Sequence, residues 1–438
     1  MLALLFLLLS GICLASCQGP ESREPALQVL SGNYETDLRG NVLRNAGLFY
    51  SYEAVPAPET PAPKGYKPFY ISHYGRHGSR RQIGGGGTAA WEILTRASRA
   101  GLLTPQGDSL LRDVTRLYEV HAGMDGELTL RGGQEHQDLA RRMYRRFRPV
   151  FDKGGKVHCQ SSMIRRCLLS MSNFAGALWS QAPGLEMDFI TGEPTQAVII
   201  HEAYEPDPAT QERRTAVLDS LFHALADPSR MMQAFFLDSP ETARVVPDPD
   251  FFAQHLFYIA AIAQDLVLEA GEVDLFRYLT PGEQTGMGKF FNERYYAVMG
   301  NSLEYGRYVT WEARWLLEDI VNRADAAIAA GDVAADLRFG HDSALLPLAS
   351  LIGLGPMARR FPVGKAYENG FYMWKYLCMA SNLQMAFYHN ASGNILVKFL
   401  YNEQELPLPA LAGDSSSPYY DWEVLRPYLL GLCTDKSI

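Results

Sequence analysis

Long apolar runs are nearly absent from this sequence. After the N-terminal segment no stretch approaches the roughly 18 apolar residues of a bilayer-spanning helix, which excludes a polytopic membrane protein. Positive charge is not in excess either. Forty Lys and Arg against 49 Asp and Glu leave a net charge of −9, the wrong sign for wholesale binding to nucleic-acid backbone or anionic lipid. Any anionic ligand must then be held by a local cluster of cations. No CxxC occurs, so a thiolate zinc site is not indicated. Neither GK[ST] nor GxGxxG accompanies the Gly84–Gly87 run, which reads as a flexible loop rather than a phosphate cradle. His201-Glu202-Ala203-Tyr204-Glu205 fails HExxH because position 205 is Glu. No internal repeat is visible. What is present is an ordinary globular composition, 438 residues at 47% apolar and 20% charged with 38 Gly and 25 Pro. That length fits about two to three domains, or one core with a large insertion.

The first 17 residues stand apart. Met1–Ser10 is an apolar run too short to span a bilayer and reads as a secretory signal. Leu14-Ala15-Ser16-Cys17 resembles a bacterial lipobox, although no Lys or Arg precedes the apolar run. The expectation is a signal peptide over 1–17, a lipidated Cys17, and membrane contact through that anchor alone, at a periplasmic or outward-facing surface of the envelope. Gln18–Pro25 reads as a tether, and 18–66 as tether and N-terminal segment. Cys159, Cys167, Cys378 and Cys433 remain; pairing and buried free thiols are both open.

The Pro-rich segment 54–68 leads into Phe69–Tyr74, a short aromatic and β-branched run that predicts a buried strand ending at Gly75. Thr104-Pro105 predicts a helix start leading into Leu110, Val114 and Leu117. Thr129 predicts a cap for a helix through Phe147 that buries Leu139, Met143 and Phe147. Its Arg141, Arg142, Arg145, Arg146 and Arg148 read as a solvated face. Gly155–Cys159 predicts a second strand, followed by a helix over Ser162–Trp179, and Met187–Ile190 and Val198–Ile200 predict two more strands. Between 204 and 335 long helical stretches punctuated by prolines predict a helical cap. Leu337–Phe339 resumes as strand, and Leu383–Tyr388, Asn390–Asn394 and Ile395–Tyr401 form a hairpin by pattern. Alternation of strands and helices predicts an α/β core over 67–203 and 336–438: a mostly parallel sheet flanked by helices, under a cap over 204–335.

Two short segments carry chemistry. Arg76-His77-Gly78-Ser79-Arg80 falls at the end of the first strand, where open α/β sheets bind ligands. Guanidinium forks match phosphate oxygens, Gly78 permits close backbone approach, and the flanking cations disfavour imidazolium and keep His77 nucleophilic. A metal pair from His73 and His77 would need a helix, which Gly75 and Gly78 oppose. The second segment, Leu337-Arg338-Phe339-Gly340-His341-Asp342, again places a His at a strand end, with a carboxylate beside it. Phosphoryl transfer needs cations, an in-line nucleophile and an acid for the leaving oxygen, and these two segments could supply all three. Asp342 must be protonated to act as that acid, so activity should favour mildly acidic pH unless burial raises its pKa.

With these segments the sequence resembles the histidine acid phosphatase family, the phytase and acid phosphatase branch of the histidine phosphatase superfamily. The family's RHGxRxP stands as Arg76–Gln82, with Gln82 in place of the proline, and its His-Asp as His341-Asp342. The family arginine eight residues before a helix phenylalanine falls at Arg166, before Phe174. Leu128-Thr129 with Gly132, and Leu396–Asn402, are weaker echoes. The resemblance covers roughly Tyr66–Phe174 and Arg338–Pro407. It implies that His77 becomes a phosphohistidine and that Arg76, Arg80, Arg166 and His341 clamp the phosphoryl oxygens. It further implies that Asp342 protonates the leaving oxygen and assists water, with no metal or cofactor. The multiple-inositol-polyphosphatase branch shows His-Ala-Glu at the second motif, and His341-Asp342-Ser343 departs from it. Arg81 and Arg165 sit beside clamp positions, where a substrate with several phosphates would need them, or else point to solvent. The function implied is an envelope-anchored phosphomonoester hydrolase, acid phosphatase or phytase-like, acting on a small phosphomonoester such as inositol hexakisphosphate. A phosphomutase on the same fold and a non-catalytic ligand-binding lipoprotein are the alternatives.

Overall fold

The computed structural model describes residues 31–83, 86–200, 206–412 and 417–435. Met1–Cys17, the tether Gln18–Pro25 and the His201–Glu205 segment lie outside the described residues. The strand expected to end at Gly75 is β1, Lys67–Arg76, one residue longer at that end. Past an irregularity at Phe69 it alternates: Tyr70 and Tyr74 pack on one face of the sheet with one apolar body, Ile71 on the other face with a second. Burial on both faces explains why its sequence is dense in aromatic and β-branched residues rather than half polar.

Strands β2 (Gly155–Ser161), β3 (Leu185–Thr191) and β4 (Val333–Gly340) join β1 in a parallel set of order β3-β2-β4-β1. The other half is antiparallel: β5 (Asn382–His389) pairs β1, β6 (Ile395–Tyr401) pairs β5, and β7 (Gln404–Glu405) and β8 (Tyr419–Asp421) pair β6. The sheet is therefore mixed rather than mostly parallel. Parallel neighbours need long helical crossovers, whereas β5 and β6 are joined by a tight turn that forces opposite directions. In that turn Asn390 Oδ1 accepts from the N–H groups of Ser392 (2.9 Å) and Asn394 (3.0 Å).

Helix starts follow the capping chemistry. After α1 (Gly86–Arg99), α2 (Pro105–His121) begins behind Thr104, whose hydroxyl accepts from Gly107 N–H at 3.0 Å. Helix α3 (Leu130–Arg146) begins behind Thr129 and buries Leu139 and Met143, with Phe147 following. Gly86 and Gly87 belong to α1, so that half of the expected glycine loop is helical. Helix α4 (Arg165–Gln181) starts three residues later than expected: β2 runs to Ser161, and Ser162 after it turns its hydroxyl to His341. Val198–Ile200, expected as strand, instead closes a short helix, Glu193–Ile199. Pro194 pre-sets that helix's first turn, and three β-branched residues are too few to decide otherwise.

The 204–335 block holds α5 (Pro208–Leu225), α6 (Pro249–Ile262), α7 (Pro281–Met299) and α8 (Arg314–Ala330). Proline opens the first three, capped by Asp207, Asp248 and Thr280. Val333–Ala335 already belong to β4. The stretch Pro249–Ala270 is long and apolar enough to cross a membrane (mean hydropathy 1.4), which corrects the expectation that no stretch after the N-terminal segment approaches that length. With 67% of that window buried in the fold it reads as a core helix. Helices α9 (Asp342–Ile352) and α10 (Trp422–Thr434) pack into the same apolar body. The four cysteines at 159, 167, 378 and 433 are free.

Residues 34–52, grouped with the tether in the sequence reading, are part of the fold. Tyr34, Phe49 and Tyr50 are buried, and Asp37 accepts from the Tyr372 hydroxyl at 2.8 Å. The Pro-rich segment is anchored by fully buried Lys398, which donates to Glu59 (3.1 Å), Glu405 (2.8 Å) and Thr60 O (3.3 Å).

The loop after β1 rests on the start of α3 through two glycines. A Cβ at Gly78 would lie 2.5 Å from Gly132 O, and one at Gly132 would lie 2.2 Å from Ser79 O. Both obstacles are backbone and cannot rotate away. Gly132→Ala is therefore expected to destabilise the chain by about 2–3 kcal/mol, read from urea unfolding. An unchanged midpoint would contradict this packing.

Candidate active site

Register builds the site. Arg76 pairs with Gly340 as the last residues of parallel neighbours β1 and β4, so the next residues of each, His77 and His341-Asp342, leave the sheet side by side. His77 N–H donates to Gly340 O (2.9 Å), and the two imidazoles stand 5.6 Å apart, inclined at 71°. On the other flank of β4, β2 delivers Ser162 and then α4, whose first turn carries Arg166.

His77 is almost fully buried, and its Nδ1 lies 2.9 Å from Gly78 O. A carbonyl only accepts, so Nδ1 carries the proton and Nε2 keeps its lone pair. Burial and then the charges of Arg166, Arg76 and Arg80 hold the imidazole well below its usual pKa, so the ring is neutral.

Arg76 is fully buried. Its Nη1 donates to Leu48 O and Leu377 O, both 2.6 Å, and its Nη2 meets Asp342 Oδ2 at 2.7 Å. Arg80 stacks over Phe49, 5.6 Å from the ring centre, beside Tyr258, and donates to Arg81 O (2.9 Å). Arg166 Nη2 contacts His341 Nδ1 at 3.3 Å. Three guanidinium groups thus face one carboxylate, leaving net positive charge for an anion.

His341 Nε2 lies 3.1 Å from Ser162 Oγ and 3.4 Å from Cys167 Sγ, and burial followed by Arg166 lowers its pKa to about 3. Asp342 opens α9, accepting from Ser343 N–H (2.9 Å). Burial alone would raise its pKa, but Arg76 and Arg80 prevail and hold it below the usual carboxylate range. In the ligand-free site it is an anion.

The structure brings His77, Arg76, Arg80, Arg166, His341 and Asp342 together. It separates the two surplus cations from that group. Arg81 donates to Val120 O (2.8 Å) and Leu128 O (3.1 Å) and faces Glu269 (3.7 Å), so it braces the loop, and the expectation that it holds substrate gives way. Arg165 is 75% exposed and paired with Glu127 at 2.6 Å. His73 packs between Phe174 and Phe339, each 5.3 Å away, as a core residue.

Sequence reasoning missed the brace behind the loop. The Thr129 hydroxyl donates to Ser79 O (3.0 Å) and accepts from Gly132 N–H (3.1 Å), which gives the Leu128-Thr129…Gly132 echo a physical meaning. It also missed the carbonyls of Leu48 and Leu377, which no side-chain pattern announces. Tyr74, read only as strand, donates its hydroxyl to Ile199 O (2.9 Å) and accepts from His341 N–H (3.1 Å).

Neither a protein-family model nor a curated protein matches the chain. Solved structures do match over most of its length. Multiple inositol polyphosphate phosphatase of Bifidobacterium longum, in complex with inositol hexasulfate, superposes with TM-score 0.74 at 20% identity, covering 88% of this chain and 97% of that one. The phytase of D. castellii gives 0.64 at 13% identity (90% and 86%), and the apo phytase of Hafnia alvei 0.52 at 12% (85% and 98%). The chain shares with these phosphatase and phytase structures a mixed α/β fold, a central sheet flanked by many helices.

The His77 and His341 rings are expected to keep neutral nitrogen shifts in ¹⁵N NMR from pH 8 down to pH 5. Imidazolium at either ring near pH 6 would contradict the electrostatics described.

Proposed function

We propose that the chain is a phosphomonoester hydrolase that works through a phosphohistidine at His77. The observation that carries this reading is the fixed tautomer: Nδ1 is committed to Gly78 O, so the Nε2 lone pair is left among Arg76, Arg80, Arg166 and His341. A phosphoryl dianion entering this group neutralises the guanidinium charges. Those charges are what hold Asp342 ionised, so substrate binding raises its pKa and lets it carry a proton at mildly acidic pH.

Nε2 then attacks phosphorus, the bond to the leaving oxygen breaks, and the Asp342 proton goes to that oxygen. In the second step Asp342 takes a proton from water, the water oxygen attacks phosphorus, and the P–N bond breaks to return the lone pair to Nε2. His341 serves the transferring oxygens by exchanging tautomers. In the resting site Arg166, which can only donate, leaves Nδ1 unprotonated, so Nε2 carries the hydrogen towards Ser162. When Arg166 turns to the phosphoryl group, Nδ1–H can do the same, with the Ser162 hydroxyl rotating to donate to Nε2.

Inositol polyphosphates are the substrate class this reading favours. Its support is the fold shared with the Bifidobacterium longum enzyme, crystallised with inositol hexasulfate, and exposed Arg165 one residue from the clamp. Attachment to the cell envelope through Cys17 belongs to the same proposal and rests on Met1–Cys17 alone; Cys17→Ser should move the protein from the membrane to the soluble fraction. The experiment for the reaction is release of phosphate from a chromogenic monoester and from inositol hexakisphosphate at pH 5 without added metal. His77→Ala should lose at least about a thousandfold in kcat, and Asp342→Asn about 10²–10⁴-fold. Full activity in His77→Ala would end the proposal.

A further inference from the structure

Behind the loop that carries His77 lies a buried acid pair with no part in the steps above. Glu135, on α3, and Asp265, in the short 3₁₀ turn Ala263–Leu266 after α6, converge on Ser79, two residues past the nucleophile. Ser79 Oγ lies 2.8 Å from Glu135 Oε1 and 2.9 Å from Asp265 Oδ1, and Ser51 Oγ lies 2.7 Å from the same Oδ1. Glu135 also accepts from the N–H groups of Ser79 (2.7 Å) and Tyr52 (2.9 Å), while Asp265 Oδ2 is buried and has no hydrogen-bond partner among the described residues.

Counting protons exposes the unusual feature. Three short O···O contacts call for three hydrogens. The Ser51 and Ser79 hydroxyls supply two. The third belongs on a carboxyl group, because otherwise two buried carboxylates would compete for the single Ser79 proton. The charge of Arg131 favours both anions but is outweighed by burial, and the other charged and titratable groups facing the pair do not relieve this. Arg131 spends its Nη1 on Gln264 O (3.1 Å), Asp138 and Arg142 line the adjoining surface cavity with Glu135, and the Cys378 thiol is neutral. Burial, then the charge of Glu135, raises Asp265 to about 7, and burial raises Glu135 as well.

We infer that Asp265 and Glu135 form a proton-sharing acid dyad which, through Ser79, positions the His77 loop. The dyad ties together four separate pieces of chain: the N-terminal segment at Ser51 and Tyr52, the loop, α3 and the turn after α6. Its positioning role rests on the phosphatase reading; its shared proton does not. Once the proton leaves, two anions face one hydroxyl, and the loop two residues from His77 loses its hold. Unfolded aspartate releases its proton near pH 4, the folded dyad near 7. Between those values the folded chain binds the extra proton, so the stabilisation is full below about 4, falls as pH rises, and is lost above about 7.

Asp265→Asn keeps the size and supplies an N–H at every pH, whereas Asp265→Ala leaves the contact empty. The urea midpoint of the wild-type chain should fall more between pH 5 and pH 7.5 than that of Asp265→Asn. The alkaline limb of kcat for a phosphomonoester should lie at higher pH in Asp265→Asn, and Asp265→Ala should lose about tenfold in kcat with little change in KM. Parallel urea–pH curves would overturn the dyad, and divergent curves with an unmoved alkaline limb would overturn the positioning role. If the wild-type chain releases no phosphate, the function proposed above fails and the urea comparison still decides the dyad. Should Asp265→Asn not fold, infrared difference spectra of the folded chain between pH 5 and pH 8 serve instead. They are read in a Glu293→Gln background, since Glu293 is another buried acid raised to about 7. Loss of a protonated-carboxyl band supports the dyad, and no such band overturns it.

Discussion

The pairing of Arg76 with Gly340 is the constraint from which the site follows. Two parallel strands that end level with one another release their next residues into the same space. Segments more than 260 residues apart in sequence thereby place an imidazole, a second imidazole and a carboxylate together, with one backbone hydrogen bond, His77 N–H to Gly340 O, pinning the junction. A slip of one residue in β4 would turn every side chain on that strand to the opposite face and take Asp342 out of reach of Arg76.

Charge is arranged with comparable economy. Burying Arg76 completely is costly unless its charge is compensated, and its two Nη groups find two backbone carbonyls and the one carboxylate in the group. Arg80 is held by an aromatic face and a carbonyl, and Arg166 by a neutral imidazole. None of those last partners carries charge, so the site stays electropositive when empty. The same field keeps His77 neutral and Asp342 ionised, and an incoming phosphoryl dianion cancels it. Under the proposed reaction, one electrostatic arrangement would prepare the nucleophile before binding and the acid after it.

Much of this was legible in the sequence, for identifiable reasons. β1 and the β5–β6 hairpin announce themselves through dense aromatic and β-branched residues and turn chemistry at Asn390–Asn394, and Thr104 and Thr129 mark helix starts by their caps. The motif residues were legible because strand ends are where an α/β sheet puts its chemistry. What escaped depends on long-range contact. Residues 34–52 carry no strong periodic signal, yet Leu48 lends a carbonyl to Arg76 and Phe49 a ring to Arg80. Val198–Ile200 looked like strand because β-branched residues favour it, but Pro194 had already begun a helix. Arg81 looked like a spare cation, and only the fold shows its donors turned to Val120 and Leu128. Asp265 and Glu135 sit in helical sequence as ordinary polar residues, and nothing local reveals that both reach Ser79.

The central claim is that Nε2 of His77 accepts the phosphoryl group. Its most direct test is rapid acid-free quenching of the chain with a ³²P-labelled phosphomonoester, in the Asp342→Asn form that should slow release, followed by peptide mapping. Label that is stable to alkali, lost in acid and confined to the peptide containing His77 is the predicted result. Turnover without any such adduct, or an adduct on another residue, would contradict the account.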